Sequence, residues 1–252
     1  MPDNIIDFPP QTTACGSCPW ARSCVAGTCA AATEGASGPR AAPPLRRGQH
    51  VFRQGAALEW LYVLRSGSAK SCVDSADGLE QVVAFHFPGD LLGFDALADG
   101  RHHSTVVALE TAAVCRVPFG GLEHLAACQP RLWGEIMRAA ARMMREQNEH
   151  ALLLGQKSAH GRFASLLLDL SERYAARGCS RIEFNLSMPR QDIANYLSLA
   201  VETVSRLLGD LQSEGVLAVE RRYVRIMSVE RLKLLSGQDA HRLGNAPNAG
   251  SA

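Results

Sequence analysis

Residues 187–212 run SMPRQDIANYLSLAVETVSRLLGDLQ, and their apolar spacing decides the C-terminal half of the chain. Ser187 to Leu197 begins like a helix, with Ser187 as cap and Pro189 in the first turn. Ser198-Leu199-Ala200 makes a short turn. Val201 to Gln212 is a second helix, stopped by Gly215. Ile193, Ala194, Leu197, Val204, Leu207, Leu208 and Leu211 can pack the two helices together. Val216–Val219 and Tyr223–Met227 are strand-like and flank Glu220-Arg221-Arg222, a small β wing. In such a winged helix-turn-helix the N-terminal part of the second helix meets base edges. Glu202, Ser205 and Arg206 stand there at i, i+3 and i+4, on one helix face. Glu accepts from cytosine N4, Arg donates to guanine O6 and N7, and Ser is versatile. Arg190, Arg221, Arg222 and Arg225 are candidate phosphate contacts, which position without specifying. A plain helical hairpin with solvated charges has the same spacing; the wing and the paired helix lengths favour the DNA reader.

Upstream, residues 158–179 form another amphipathic helix, with Phe163, Leu166, Leu167 and Leu170 as its stripe and Arg177-Gly178 as its end. Before it, Trp133, Met137, Ala140, Met144, Gln147, Ala151 and Leu154 step by four and three. That is the seam of a two-chain coiled coil. A second register, Trp133, Ile136, Ala140, Met143, Gln147, His150 and Leu154, fits equally well, and a helix packed on its own domain is the alternative to both. Residues 45–119 alternate short apolar runs, such as Leu61–Leu64, Gln81–Phe85 and Thr105–Leu109, with Gly and Asp-Gly turns. This predicts an antiparallel barrel or sandwich. Residues 31–44 are small and rich in Gly and Pro, as in a flexible linker. The expected class is α+β. The expected organisation is a cysteine-rich arm (1–30), linker (31–44), β sensor domain (45–128), dimerisation helix (129–156), winged helix-turn-helix (157–236) and disordered tail (237–252).

With 252 residues and 46% hydrophobic content, the chain can bury two modest cores. Its net charge of +1 means that any DNA-binding surface is a local basic patch. No run approaches the roughly 18 apolar residues of a membrane span, and Met1 to Gln11 lacks the pattern of a signal peptide. A cytoplasmic location is expected. Of the eight cysteines, Cys15, Cys18, Cys24 and Cys29 lie within fifteen residues. Clustered cysteines in a reducing cytosol favour a metal or redox role over disulfides. Cys15-x2-Cys18-x5-Cys24 supplies three soft thiolates, with Cys29 as an available fourth. Such a set suits zinc or an iron–sulfur cluster. Zinc usually sits between two paired knuckles and the second is missing; on spacing alone the two stand level, with a thiol switch as the third option. Cys72, Cys128 and Cys179 are scattered, as small core or surface residues are. His102-His103 is an isolated pair in a turn, and no phosphate loop or nucleophile motif appears, so no enzyme is expected.

Cys15-Gly-Ser-Cys18-x5-Cys24, Leu61-Tyr-Val-Leu-Arg-Ser-Gly67, Phe87-Pro-Gly-Asp-Leu-Leu-Gly-Phe-Asp-Ala96, Ala108-Leu-Glu-Thr-Ala-Ala-Val-Cys-Arg-Val-Pro-Phe119 and Asn195-Tyr-Leu-Ser-Leu-Ala-Val-Glu-Thr-Val-Ser-Arg-Leu-Leu208 together closely resemble the FNR family, the fumarate and nitrate reduction regulators of the catabolite-activator superfamily. The resemblance implies a cyclic-nucleotide-binding-like β jelly roll, a long dimerisation helix and a winged helix-turn-helix. It implies a 4Fe-4S cluster held by Cys15, Cys18, Cys24 and Cys115. It implies a homodimer that, under low oxygen, binds a TTGAT-N4-ATCAA-like palindrome of double-stranded DNA through Glu202, Ser205 and Arg206, regulates anaerobic-metabolism genes with RNA polymerase, and is inactivated as oxygen strips the cluster.

Several departures qualify what the resemblance implies. The 31–44 linker replaces a helix-forming acidic segment. Pro19 follows Cys18 and Ser23 precedes Cys24, where the best-known members carry a small polar and a bulky apolar residue that shield the cluster. Gln147 matches an acidic seam residue whose repulsion keeps the cluster-free form monomeric, so a tighter apo dimer is expected. Cys29 competes with Cys115 as fourth ligand; the resemblance favours Cys115. Cyclic nucleotide is not an expected ligand, because Phe94 and His103-Ser104 replace the Glu and the Arg-Ser that would hold its ribose and phosphate.

Overall fold

A computed structural model describes Cys18, Ala26, residues 39–119 and residues 130–237. The chain divides into two compact units, Met1–Glu146 and Gln147–Ala252. The tail expected to be disordered lies outside the described residues from Gln238 onward.

In the first unit the β runs become strands β1 (Arg40–Ala41), β2 (His50–Phe52), β3 (Trp60–Ser66), β4 (Ala69–Asp74), β5 (Glu80–His86), β6 (Leu91–Leu92), β7 (Thr105–Ala108) and β8 (Ala113–Pro118). They form two antiparallel four-stranded sheets, β1-β8-β3-β6 and β2-β7-β4-β5. The arrangement is jelly-roll-like, with two open sheets in place of a closed barrel. Strand β3 is buried on both faces. Tyr62 and Leu64 point into the core between the sheets, with Phe52, Ala69, Val106, Ala108 and Val114. Leu61 and Val63 point the other way, where they meet Ile136 and Ala139. The period-two alternation of a strand makes this division, and a register shift between Leu64 and Ser66 ends it. Gly67 turns the chain from β3 to β4 at φ +75°; a Cβ there would stand 2.5 Å from the carbonyl O of Thr111.

Part of the linker expectation is corrected. Arg40 and Ala41 pair with Arg116 and Cys115 of β8, and Ala42 N–H donates to the Val114 carbonyl at 2.8 Å. Residues 31–38 lie outside the described residues.

The long helix is α1 (Pro130–Gln156), and α2 (Ala159–Ala176) follows it. Ser158 caps α2 by accepting from Gly161 N–H at 3.2 Å. Then come β9 (Glu183–Asn185), α3 (Arg190–Leu197), α4 (Val201–Ser213), β10 (Leu217–Glu220), β11 (Tyr223–Ile226) and α5 (Val229–Ser236). Strands β10, β11 and β9 form one antiparallel sheet, in that order with β11 central. Ser187 is not the cap of α3: the helix begins after Pro189, and the buried Ser187 hydroxyl has no hydrogen-bond partner among the described residues.

Candidate DNA-reading surface and cysteine centre

The two helices expected to read DNA are α3 and α4. All seven apolar residues expected between them are buried, none more than 4% exposed. Burial of this kind stabilises by roughly 1.5–3 kcal/mol per large side chain. The turn between the helices depends on Ser198, which ends α3 in the left-handed region at φ 51°, ψ 51°. Leu199 N–H closes the turn by donating to the Ala194 carbonyl at 2.9 Å.

This packing leaves one face of α4 outward. Glu202 and Arg206 are exposed and Ser205 is half-buried beside them. Arg190, at the start of α3, reaches the Ser205 hydroxyl at 3.5 Å. No side chain caps the N-terminus of α4. Arg221 and Arg222 form the two-residue loop of the β10–β11 hairpin and are exposed, with Arg221 at φ 56°. Arg225 differs from the other three phosphate candidates. Its Nε and Nη2 both lie against Glu183 Oε1, at 2.6 and 2.5 Å. The Arg225 hydrogen bond holds the Glu183 carboxyl below the usual carboxylate range. A phosphate would have to compete with Glu183 for this guanidinium.

The seam residues fall mostly on the open face of α1. Trp133, Met137 and Met144 are 52%, 42% and 69% exposed. Gln147 and Ala151 are exposed, and Ala140 and Leu154 are half-buried. Two of the three residues particular to the second register, Ile136 and His150, are taken up elsewhere. Ile136 packs on Leu61, Val63, Leu91 and Val117, and His150 stacks on Tyr196 with ring centroids 4.1 Å apart.

Of the cysteines expected to hold a metal, Cys18 and Cys115 are described, both at intermediate exposure. Cys15, Cys24 and the competing Cys29 lie outside the described residues, as does Cys128. Among the described residues no three His, Cys, Asp or Glu side chains are grouped to hold a metal. Cys115 sits on β8 opposite Val63 and beside Ala41 of β1. It packs against the cluster that contains Leu61, Val117, Ile136 and Ala139. Ala26, two residues beyond Cys24, is buried in that same cluster. Ala26, β8 and α1 therefore meet on one apolar surface at Cys115.

The turn after Gly93 carries a further polar group. The Asp95 carboxylate accepts from the Ser104 hydroxyl at 2.7 Å and from His103 N–H at 3.0 Å, and lies 3.4 Å from His102 Nδ1. Burial alone would raise the Asp95 pKa; the His102 and Ser104 hydrogen bonds outweigh it and hold the carboxyl below its ordinary value. His102 is buried and stacked on Phe52. The isolated pair is thus part of a structural turn.

Two family models match, the cyclic nucleotide-binding domain over residues 43–127 and the Crp-like helix-turn-helix domain over residues 161–235. The anaerobic regulatory protein of Aggregatibacter actinomycetemcomitans is 44% identical over 200 residues, 79% of this chain and 78% of that protein. The fumarate and nitrate reduction regulatory protein of Escherichia coli K12 is 44% identical over 194 residues, 77% of this chain and 78% of that protein. The chain belongs to the FNR family of transcription regulators. The structure of FixK2 from Bradyrhizobium japonicum superposes with a TM-score of 0.69 at 31% identity, covering 77% of this chain and 95% of that one. This FNR-family chain is a transcription regulator with a DNA-binding helix-turn-helix, not an enzyme.

Sequence reasoning missed Glu183 as the partner of Arg225, because β9 is too short to give a period. It also missed Arg162 and His150 as contacts of the helix-turn-helix: Arg162 lies outside the apolar stripe of its helix, and His150 fits a seam position.

Proposed function

We propose that this protein is an oxygen-responsive regulator whose Cys15, Cys18, Cys24 and Cys115 hold a 4Fe-4S cluster. When bound, the cluster supplies an oxygen-sensitive tie between the arm and β8. The observation that carries this is the shared surface at Cys115: Ala26 of the arm and Ile136 and Ala139 of α1 pack on the same cluster as that thiol. The donor set fits, since four thiolates are the usual ligands of such a cluster. With arm and β8 tied, Ala26 stays seated against α1, and α1 presents Trp133, Met137, Ala140, Met144, Gln147, Ala151 and Leu154 to a second copy. A differential contact of this kind is what couples a sensor to a two-state equilibrium.

The homodimer places two copies of α4 in successive major grooves of a palindrome, about one helical turn apart. Glu202, Ser205 and Arg206 read the bases of TTGAT-N4-ATCAA-like half-sites, and Arg190, Arg221 and Arg222 hold phosphates. RNA polymerase is the second macromolecular partner, and the protein works in the cytoplasm. Cyclic nucleotide is not expected as a ligand: the Asp95 carboxylate takes the Ser104 and His103 donors and would repel a phosphate.

Iron and acid-labile sulfide analysis of anaerobic protein tests the centre. About four of each per chain are expected. One zinc and no sulfide would replace the cluster with a structural site, and no metal would leave thiol chemistry on the arm.

A further inference from the structure

His150, near the C-terminal end of α1, places its Nε2 2.9 Å from the carbonyl O of Tyr196 in α3. Its ring lies flat on the Tyr196 ring, at 5°. Nε2–H is the donor, so the neutral imidazole suffices; burial keeps its pKa below the ordinary value. Arg162 of α2 makes a second junction. Its Nη2 donates to the Leu154 carbonyl at 2.7 Å, its Nε to the Lys157 carbonyl at 3.0 Å, and its Nη1 to the Leu197 carbonyl at 3.0 Å. Leu154 and Leu197 lie in the last turns of α1 and α3, where carbonyls have no partner within the helix. One planar guanidinium thus joins the end of α1, the turn into α2 and the end of α3. Lysine also has three donors, but they sit on one compact nitrogen and lack the wide planar fork that spans three carbonyls on separate elements.

We propose that His150 and Arg162 form a two-point latch that fixes α3, and through the Ser198–Ala200 turn the DNA-reading helix α4, to the C-terminal end of α1. Both are positioning residues for DNA binding. The proposal rests on the assignment of α4 as the reader and α1 as the dimer helix. Without the latch, α4 spends part of its time away from the binding orientation, and apparent affinity falls by the competent fraction.

The test uses the full-length, anaerobic protein on the labelled palindrome. His150→Phe keeps the stack and loses the donor; Arg162→Lys keeps the charge and loses the fork. Each is expected to weaken binding about tenfold. The loss should be equal on all single-base variants of the site, with the dimerisation constant and salt slope unchanged. His150→Gln, which can still donate to Tyr196, is expected to bind within about twofold of wild type. Hydrogen exchange without DNA reads the latch independently: amides of residues 195–204 should exchange about tenfold faster in His150→Phe and Arg162→Lys. Wild-type affinity and unchanged exchange in both variants would overturn the latch. If wild-type protein binds no palindrome, the proposed function fails, and the exchange measurement still decides the latch.

Discussion

Among the described residues, two carry backbone conformations that their side chains disfavour. Ser198 turns the helix-turn-helix and Arg221 turns the wing, both at positive φ without being glycine. The left-handed conformation costs an ordinary residue about 1–2 kcal/mol, while glycine loses more entropy on folding. Ser198→Gly is therefore expected to raise stability by about 0.5 kcal/mol without changing DNA affinity; urea denaturation with a binding titration checks both. The reverse case is Gly67→Ala, whose Cβ would strike the Thr111 carbonyl. It should destabilise by about 2 kcal/mol or more, seen as a lower urea midpoint. The four arginines should separate by their partners. Arg221→Ala is expected to lower affinity on every sequence and to reduce the salt slope by about 1. Arg225→Ala should change little, because Glu183 already holds that guanidinium. Salt titrations of binding distinguish the two, and equal losses would contradict the distinction.

At the scale of elements, the sequence made α3, α4 and the wing legible, because their apolar spacing is regular over whole helices. It did not choose between the two registers of α1. That choice is made by partners far away in sequence: Ile136 is taken by Leu61 and Val117, and His150 by Tyr196. Helix α5 had local signals that were available, a Ser228 cap accepting from Arg231 N–H at 3.2 Å and Gly237 just past the end. Strands β1 and β9 had none, being two and three residues long. If the open register is the seam, Met144→Glu should put like charges across the dimer axis and shift air-exposed and anaerobic protein alike toward monomer in sedimentation. The neutral Gln147 in that seam predicts that wild-type protein stripped of its cluster stays partly dimeric at micromolar concentration, and that Gln147→Glu loosens it. A clean apo monomer for the wild type would refute this.

At the scale of the whole molecule, each of the two units has its own set of contacts with the part of α1 that it contains. In the first unit, Cys115 shares a surface with Ala26, Ile136 and Ala139. In the second, the end of α1 is bound to the helix-turn-helix by His150 and Arg162. The cysteine spacing showed that soft ligands were gathered, but not what they gathered around; Cys115 is 91 positions beyond Cys24, and the pairing of β1, β3 and β8 places it beside the cluster that holds Ala26. Cys115→Ser should lose the visible chromophore and fall to the DNA affinity of apo protein, whereas Cys29→Ser should keep both.

The visible absorption spectrum of anaerobically purified protein, followed together with DNA binding as oxygen is added, tests the central claim most directly. The account predicts a brown thiolate-to-iron band that bleaches with oxygen while affinity for the TTGAT palindrome is lost in parallel. A colourless protein that binds the palindrome equally well with and without oxygen would contradict it, leaving a DNA-binding regulator that does not sense oxygen through iron.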